Sequence, residues 1–207
     1  MTEIERNDEG RRSDGDGALP FARIPDEAAR VLHFWFVQLS PEQWFSSSDA
    51  LDAYIGAQFG GLLCEASEGG CDGWADHPKS LLALVIVLDQ FSRNIHRDTA
   101  AAFTQDEKAQ ALVMSALERG FDENLGVDER QFLYMPLMHA ESRELQQLSV
   151  EKFEKLAASA KGIIGFAESH RDIVEEYGRF PYRNPMLGRE STPEERTFIA
   201  KEGNPFS

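Results

Sequence analysis

The stretch Pro78-Lys-Ser-Leu-Leu-Ala-Leu-Val-Ile-Val-Leu-Asp-Gln-Phe-Ser-Arg-Asn94 decides the fold. Proline at its head suits the first turn of a helix, where its missing N–H leaves no bond unmade. From Leu81 to Leu88 the side chains are apolar on every side. A helix with no polar face is packed centrally among others. The run stops at Asp89, far short of the ~20 residues that a membrane span requires.

Helical signals continue on both sides of this segment. Upstream, Asp26 to Leu39 carries Val31, Leu32, Phe34, Trp35 and Phe36, and Ser40-Pro41 stops it. Ser48 is placed to cap a helix with Leu51, Ile55, Phe59, Leu62 and Leu63 along one side, ending before Gly69-Gly70. Downstream, Thr104-Gln-Asp-Glu107 reads as a capping box before Leu112, Val113, Ala116 and Leu117, with Gly120 at the far end. Asp128 to Leu148 reads as one helix bent by Pro136. Ser149 then reads as the cap of a longer helix through Phe153, Leu156, Ala160, Ile164 and Ala167 to about Tyr177. Within it, Gly162 and Gly165 either loosen the helix or admit a close neighbour. Gly178 to Gly188 is a loop, and Thr192-Pro-Glu-Glu195 combines a cap, a first-turn proline and a capping-box glutamate.

No segment alternates with β-branched enrichment, and no repeat is overt. The expectation is an all-α chain of antiparallel helix pairs stacked side by side. A single domain is expected over 18–207, after a disordered polar tail of mixed charge at 1–17 with no apolar core to act as a signal or anchor.

At 207 residues and 42% hydrophobic, the chain is long and apolar enough for one real core. Its net charge of -15 repels phosphate backbones, so neither nucleic acid nor an anionic membrane is expected as a partner. Cys64 and Cys71 read as a buried thiol and a loop thiol in a reducing cytoplasm. Trp35, Trp44 and Trp74 read as core aromatics. There is no phosphate loop, nucleophile elbow, dinucleotide fingerprint or metal-ligand spacing, and no cofactor or metal is expected.

Against the acidic background, three polar motifs stand out. In Leu88-Asp-Gln-Phe-Ser-Arg-Asn-Ile-His-Arg97, Asp89 and Arg93 lie four apart on one helical face. Exposed, that pair contributes only ~0.3–0.5 kcal/mol; buried, each charge needs full hydrogen bonding. In Gly178-Arg-Phe-Pro-Tyr-Arg-Asn-Pro185, followed by Gly188-Arg189, arginines punctuate a tight loop. Their planar forks suit carboxylate or phosphate recognition, or else bridge to acidic helices and hold the C-terminal helix. In Phe132-Leu-Tyr-Met-Pro-Leu-Met-His-Ala-Glu-Ser142, His139 sits where an apolar face turns polar. It is a candidate general base, oriented by Glu141 or by a carboxylate from elsewhere; the plainer alternative is a satisfied core or rim histidine.

With these motifs the chain resembles the bacterial domain-of-unknown-function family 924. The resemblance runs from Val31-Leu-His-Phe-Trp-Phe36 and Gln43-Trp-Phe45 through Leu88–Ile95 and Phe132–His139 with Glu141 and Gln146. It ends with Gly178-Arg-Phe-Pro-Tyr-Arg-Asn184 and Leu187-Gly-Arg-Glu-Ser-Thr192. It implies a tetratricopeptide-like helical stack and no settled activity. Ser92 stands where the family has proline, Tyr182 where it has histidine, and His96 where it has an aromatic. No role is carried onto His96, and no mechanism needing a histidine at 182 is carried over.

Three functional expectations follow. In the first, a binding module holds an anionic small molecule or a peptide carboxylate on Arg93, Arg179, Arg183 and Arg189. Asp89, Asn94, Glu141, Asn184 and His139 complete that site. In the second, a hydrolase or lyase uses His139 as base while the arginines stabilise developing negative charge. In the third, the motifs are a structural polar latch.

Overall fold

A computed structural model of the chain describes residues 24–46, 48–157 and 164–205. The expected disordered tail and Gly162 lie outside them. Every element among the described residues is helical. The elements that matter here are α1 (Asp26–His33), α2 (Pro41–Phe45), α3 (Asp49–Ser67), α4 (Pro78–Val85), α5 (Ser92–Ile95), α6 (Asp106–Glu118), α7 (Val127–Met138), α8 (Arg143–Ala157), α9 (Ile164–Tyr177) and α10 (Pro193–Glu202).

The central position read from Leu81–Leu88 is what the structure contains: each of those residues is fully buried. Helix α4 packs against α1, α6 and α7, and its polar residues, Lys79 and Ser80, are confined to the first turn. Burying each such leucine or isoleucine removes apolar surface worth roughly 1.5–3 kcal/mol from water. Trp35 fixes the corner of this core, its ring 5.7 Å from Phe91 and 5.2 Å from Phe132, both edge-on.

Two helices are prolonged by π-helical turns, α1 over Phe34–Gln38 and α4 over Ile86–Phe91. A π turn shifts the phase of the face that follows it, and such turns recur at functional positions. Here the turn after α4 keeps Asp89 and Gln90 inside the molecule together with Leu88 and Phe91.

The sequence reading of the caps holds at Ser48, whose side chain accepts from the Leu51 N–H, and at Thr192, which forms a full box with Glu195. It fails at Thr104. That residue follows a short 3-10 turn, Ala100–Phe103, and has helical dihedrals (φ -65°, ψ -17°), whereas a capping residue is extended. Its hydroxyl donates instead to the Ala101 carbonyl, and α6 begins two residues later.

The expected single helix from Asp128 to Leu148 is two helices. Helix α7 ends two residues after Pro136, and a separate start follows in which the Leu145 N–H donates to the Ser142 hydroxyl. Gln146, fully buried, donates from its side-chain nitrogen to the Met138 and Ala140 carbonyls at 2.7 and 2.9 Å. Those are carbonyls that the broken helix would leave unpaired. Ser149 is therefore not a cap but a buried residue inside α8. Nor is the segment to Tyr177 one helix: α8 and α9 pack side by side. Gly165 admits no close neighbour, since a side chain there would meet nothing within 4 Å.

Leu84→Ala should lower the stability of the chain by roughly 2–5 kcal/mol, read as a fall in the urea midpoint. Val37→Ala, at a site 68% exposed, should stay within ~0.5 kcal/mol of wild type in the same titration.

Candidate functional site

The π turn after α4 delivers Asp89 to the interior with 1% of its side chain exposed. A carboxylate so placed must be fully bonded or it costs several kcal/mol. Its Oδ1 meets Nδ1 of His139 at 2.8 Å and the Arg93 guanidinium at 3.1 Å, while Oδ2 accepts from the Gln90 amide. Burial pushes the Asp89 carboxyl upward, but Arg93, His139 and Gln90 outweigh it and hold the group far below the usual carboxylate range.

His139 comes from the end of α7, fifty residues away in sequence. A carboxylate only accepts, so the hydrogen sits on Nδ1 and the ring nitrogen left for anything else is Nε2. Burial first, and the charge of Arg93 second, lower the imidazole's affinity for a proton. Both effects favour the neutral ring over the imidazolium.

Arg93 turns its fork to a second carboxylate, Asp106, in two bonds of 2.9 and 3.1 Å. Asp106 also serves Arg183, at 3.4 Å, and Arg183 donates to the His139 carbonyl at 3.1 Å. The Arg183 guanidinium lies between the rings of Phe103 (4.7 Å) and Phe180 (4.4 Å). Those rings cover its faces and contribute cation–π attraction. Its Nε is buried without a hydrogen-bond partner. Burial first, and the like charge of Arg93, make Arg183 a weaker base than an ordinary arginine.

Arg93, Phe103, His139 and Arg183 line a cavity of about 300 Å³, with Arg97, Asp98, His170 and Tyr182 also in its wall. The structure thus brings together Arg93, His139 and Arg183, with Asp89 directly behind them.

The other sequence candidates lie outside that wall. Asn94 donates to Asp52 of α3 at 2.8 Å, and Arg97 pairs with the same carboxylate. Arg179 grips Glu195 of α10 in two bonds of 2.7 and 2.9 Å and reaches the Glu190 carbonyl. Asn184 donates to Glu195 and to Ser191. Glu141, instead of orienting His139, takes the Arg189 fork and the Phe180 N–H. Gly178 and Gly188, with φ of +73° and +63°, let the loop turn sharply enough to deliver these groups. Two arginines of one loop, Arg179 and Arg189, thus tie it to α10 and to the α7–α8 junction, while Arg183 reaches inward.

Asp106 and Phe103 were not singled out from the sequence, although both shape the site. Asp106 lay inside the Thr104–Glu107 segment, where an acidic first-turn residue has an ordinary explanation. His170 carried no signal beyond its residue type. Among the described residues, no group of three or more histidine, cysteine or acidic side chains is arranged to hold a metal ion.

An all-helical protein with buried arginine–carboxylate pairs beside a small cavity is the class that fold and site define. The chain belongs to the DUF924 family, described as bacterial proteins of unknown function, whose pattern matches residues 31–203. A solved structure of a protein of unknown function from Agrobacterium tumefaciens is similar to it, with 39% identity and a TM-score of 0.78, covering 86% of this chain and 98% of the other. No curated protein matches the chain.

The side-chain bond from Arg179 is the first cause holding Glu195 down at about 2, against an ordinary 4.5. A depressed acid contributes stability above its unfolded value and loses it as pH falls through the folded one. Glu195→Gln should therefore cost on the order of 2–3 kcal/mol at pH 6. That gap to wild type should narrow as the pH falls from about 4.5 toward 2. Urea titrations at several pH values measure it; a gap independent of pH contradicts the assignment.

Proposed function

We propose that the chain binds a small carboxylate in the cavity walled by Arg93, Arg97, Arg183 and His139. The observation that carries the reading is the state of Arg183. It is a buried guanidinium whose nearest carboxylate is 3.4 Å away and is already engaged in two bonds by Arg93. Its other partners are the His139 carbonyl and the Tyr182 side chain, and its buried Nε has none. A guanidinium with a donor to spare and only a shared carboxylate favours an added anion, and its planar fork matches a carboxylate.

The cavity, about 300 Å³, lies at the lower end for ligand sites and suits one small molecule better than a peptide end. The chain's net charge of -15 goes with a location and partners away from polyanions, and we read the protein as cytoplasmic. Among the described residues, no helix is long and apolar enough to cross a membrane.

A second reading rests on the Asp89–His139 pair. A neutral histidine whose Nδ1 is held by a buried carboxylate presents Nε2 as a general base, which is the form that proton abstraction needs. Binding requires only the arginines, so it is the leading reading.

Calorimetry with acetate, propionate, succinate and inorganic phosphate tests it. Carboxylates should bind wild type, and Arg183→Met should weaken them about tenfold or more, the worth of a lost charge-assisted bond. Arg97→Met, at the rim, is the milder variant should Arg183→Met fail to fold. Arg179→Met, outside the cavity wall, should keep wild-type affinity. No binding to wild type, or wild-type affinity in both the Arg97 and Arg183 variants, overturns the reading.

A further inference from the structure

The cavity wall holds two kinds of group with opposite demands. Arg93, Arg97 and Arg183 are donors only. His139 and Asp98 belong to the same wall and make the opposite demand. Asp98 is a carboxylate, hence an acceptor only. It sits at φ +61°, the one non-glycine residue in the left-handed region among those described. Such backbone is tolerated by aspartate better than by most residues but still favours glycine, so the position is occupied at some cost.

Geometry decides which nitrogen of His139 is left free to accept. Its Nδ1–H is committed to Asp89, a carboxylate with 1% of its side chain exposed that is held in place by Arg93 and Gln90. Turning the imidazole over would not help, because whichever nitrogen faced Asp89 would have to carry the hydrogen. In the neutral ring the nitrogen left to meet a ligand accepts, and burial beside Arg93 favours that form.

A plain carboxylate answers the arginines and leaves that acceptor without a partner. A dicarboxylate is worse, because its second charge faces a lone pair or the Asp98 carboxylate. An unmatched buried acceptor is penalised, and sites built around a polar group reject analogues that lack its partner.

The geometry points to a ligand that carries, beside its carboxylate, a hydrogen-bond donor on a neighbouring carbon: a small hydroxy acid or amino acid. This rests on the carboxylate reading above. The arginines take the acid, His139 Nε2 accepts from the hydroxyl or amine, and Asp98 adds a second acceptor that favours the amine.

Three compounds of one size separate the possibilities: propionate, lactate and alanine, titrated calorimetrically into the full chain. Lactate, alanine or both should bind at least about tenfold more tightly than propionate. A lead for alanine points to the amine and a lead for lactate to the hydroxyl. His139→Leu should bring the favoured compound down to the propionate level while propionate itself still binds. His139→Gln should restore part of the preference, since one end of the amide can donate to Asp89 and the other accept from the ligand. That rescue also reports on folding, because it keeps Asp89 bonded. Three equal affinities in wild type overturn this inference and leave the carboxylate site standing. A preference that survives His139→Leu overturns the role given to His139. Failure of all three to bind removes the carboxylate reading itself.

Discussion

The carboxylate of Asp89 is the constraint on which the site depends. It lies at the end of the apolar run Leu81–Leu88, with 1% of its side chain exposed, and needs partners from beyond its own turn. Arg93 supplies one from four residues on, Gln90 another, and His139 a third from the end of α7. A buried ion pair is weak as a source of net stability, since desolvation takes back much of the attraction. Its effect is to fix geometry. With Asp89 held, the Arg93 side chain and the tautomer of His139 are settled together.

The second constraint is that one carboxylate, Asp106, answers two guanidiniums. Arg93 takes both of its oxygens, and Arg183 is left with a longer bond, a backbone carbonyl, the Tyr182 side chain and two aromatic rings. Arg183 depends on the 178–189 loop for its position, and the loop depends on Arg179–Glu195 and Arg189–Glu141 at its two ends. A structural latch and a candidate site are therefore parts of one arrangement. Two of the loop's arginines hold it in place, and the third is carried inward by it.

What the sequence made legible was whatever depends on near neighbours. Leu81–Leu88 announced a central helix because apolar character on all sides has one physical explanation. Asp89 and Arg93 were visible as a pair from helical spacing, and Ser48 and Thr192 as caps from their own chemistry. Thr104 misled because a capping pattern says nothing of the backbone before it, and here a 3-10 turn leaves the residue helical. The break after Met138 was hidden because Pro136 reads as a bend, while the groups that complete a second start, Ser142 and Gln146, act through contacts that no periodicity encodes. Asp106 was missed for the same reason, since its partners lie 13 and 77 positions away. Nor does residue type alone separate Arg179 from Arg183; the fold sends one to α10 and the other inward.

The state of the His139 ring is the most direct test of this arrangement. Nitrogen-15 correlation spectra of the histidine side chains at neutral pH, assigned by loss of one signal set in His139→Gln, report which ring nitrogen carries the proton. A hydrogen on Nδ1 is what the Asp89 contact requires, and burial beside Arg93 favours the neutral ring with Nε2 as a bare acceptor. An imidazolium at that pH, or a ring protonated at Nε2 alone, contradicts it.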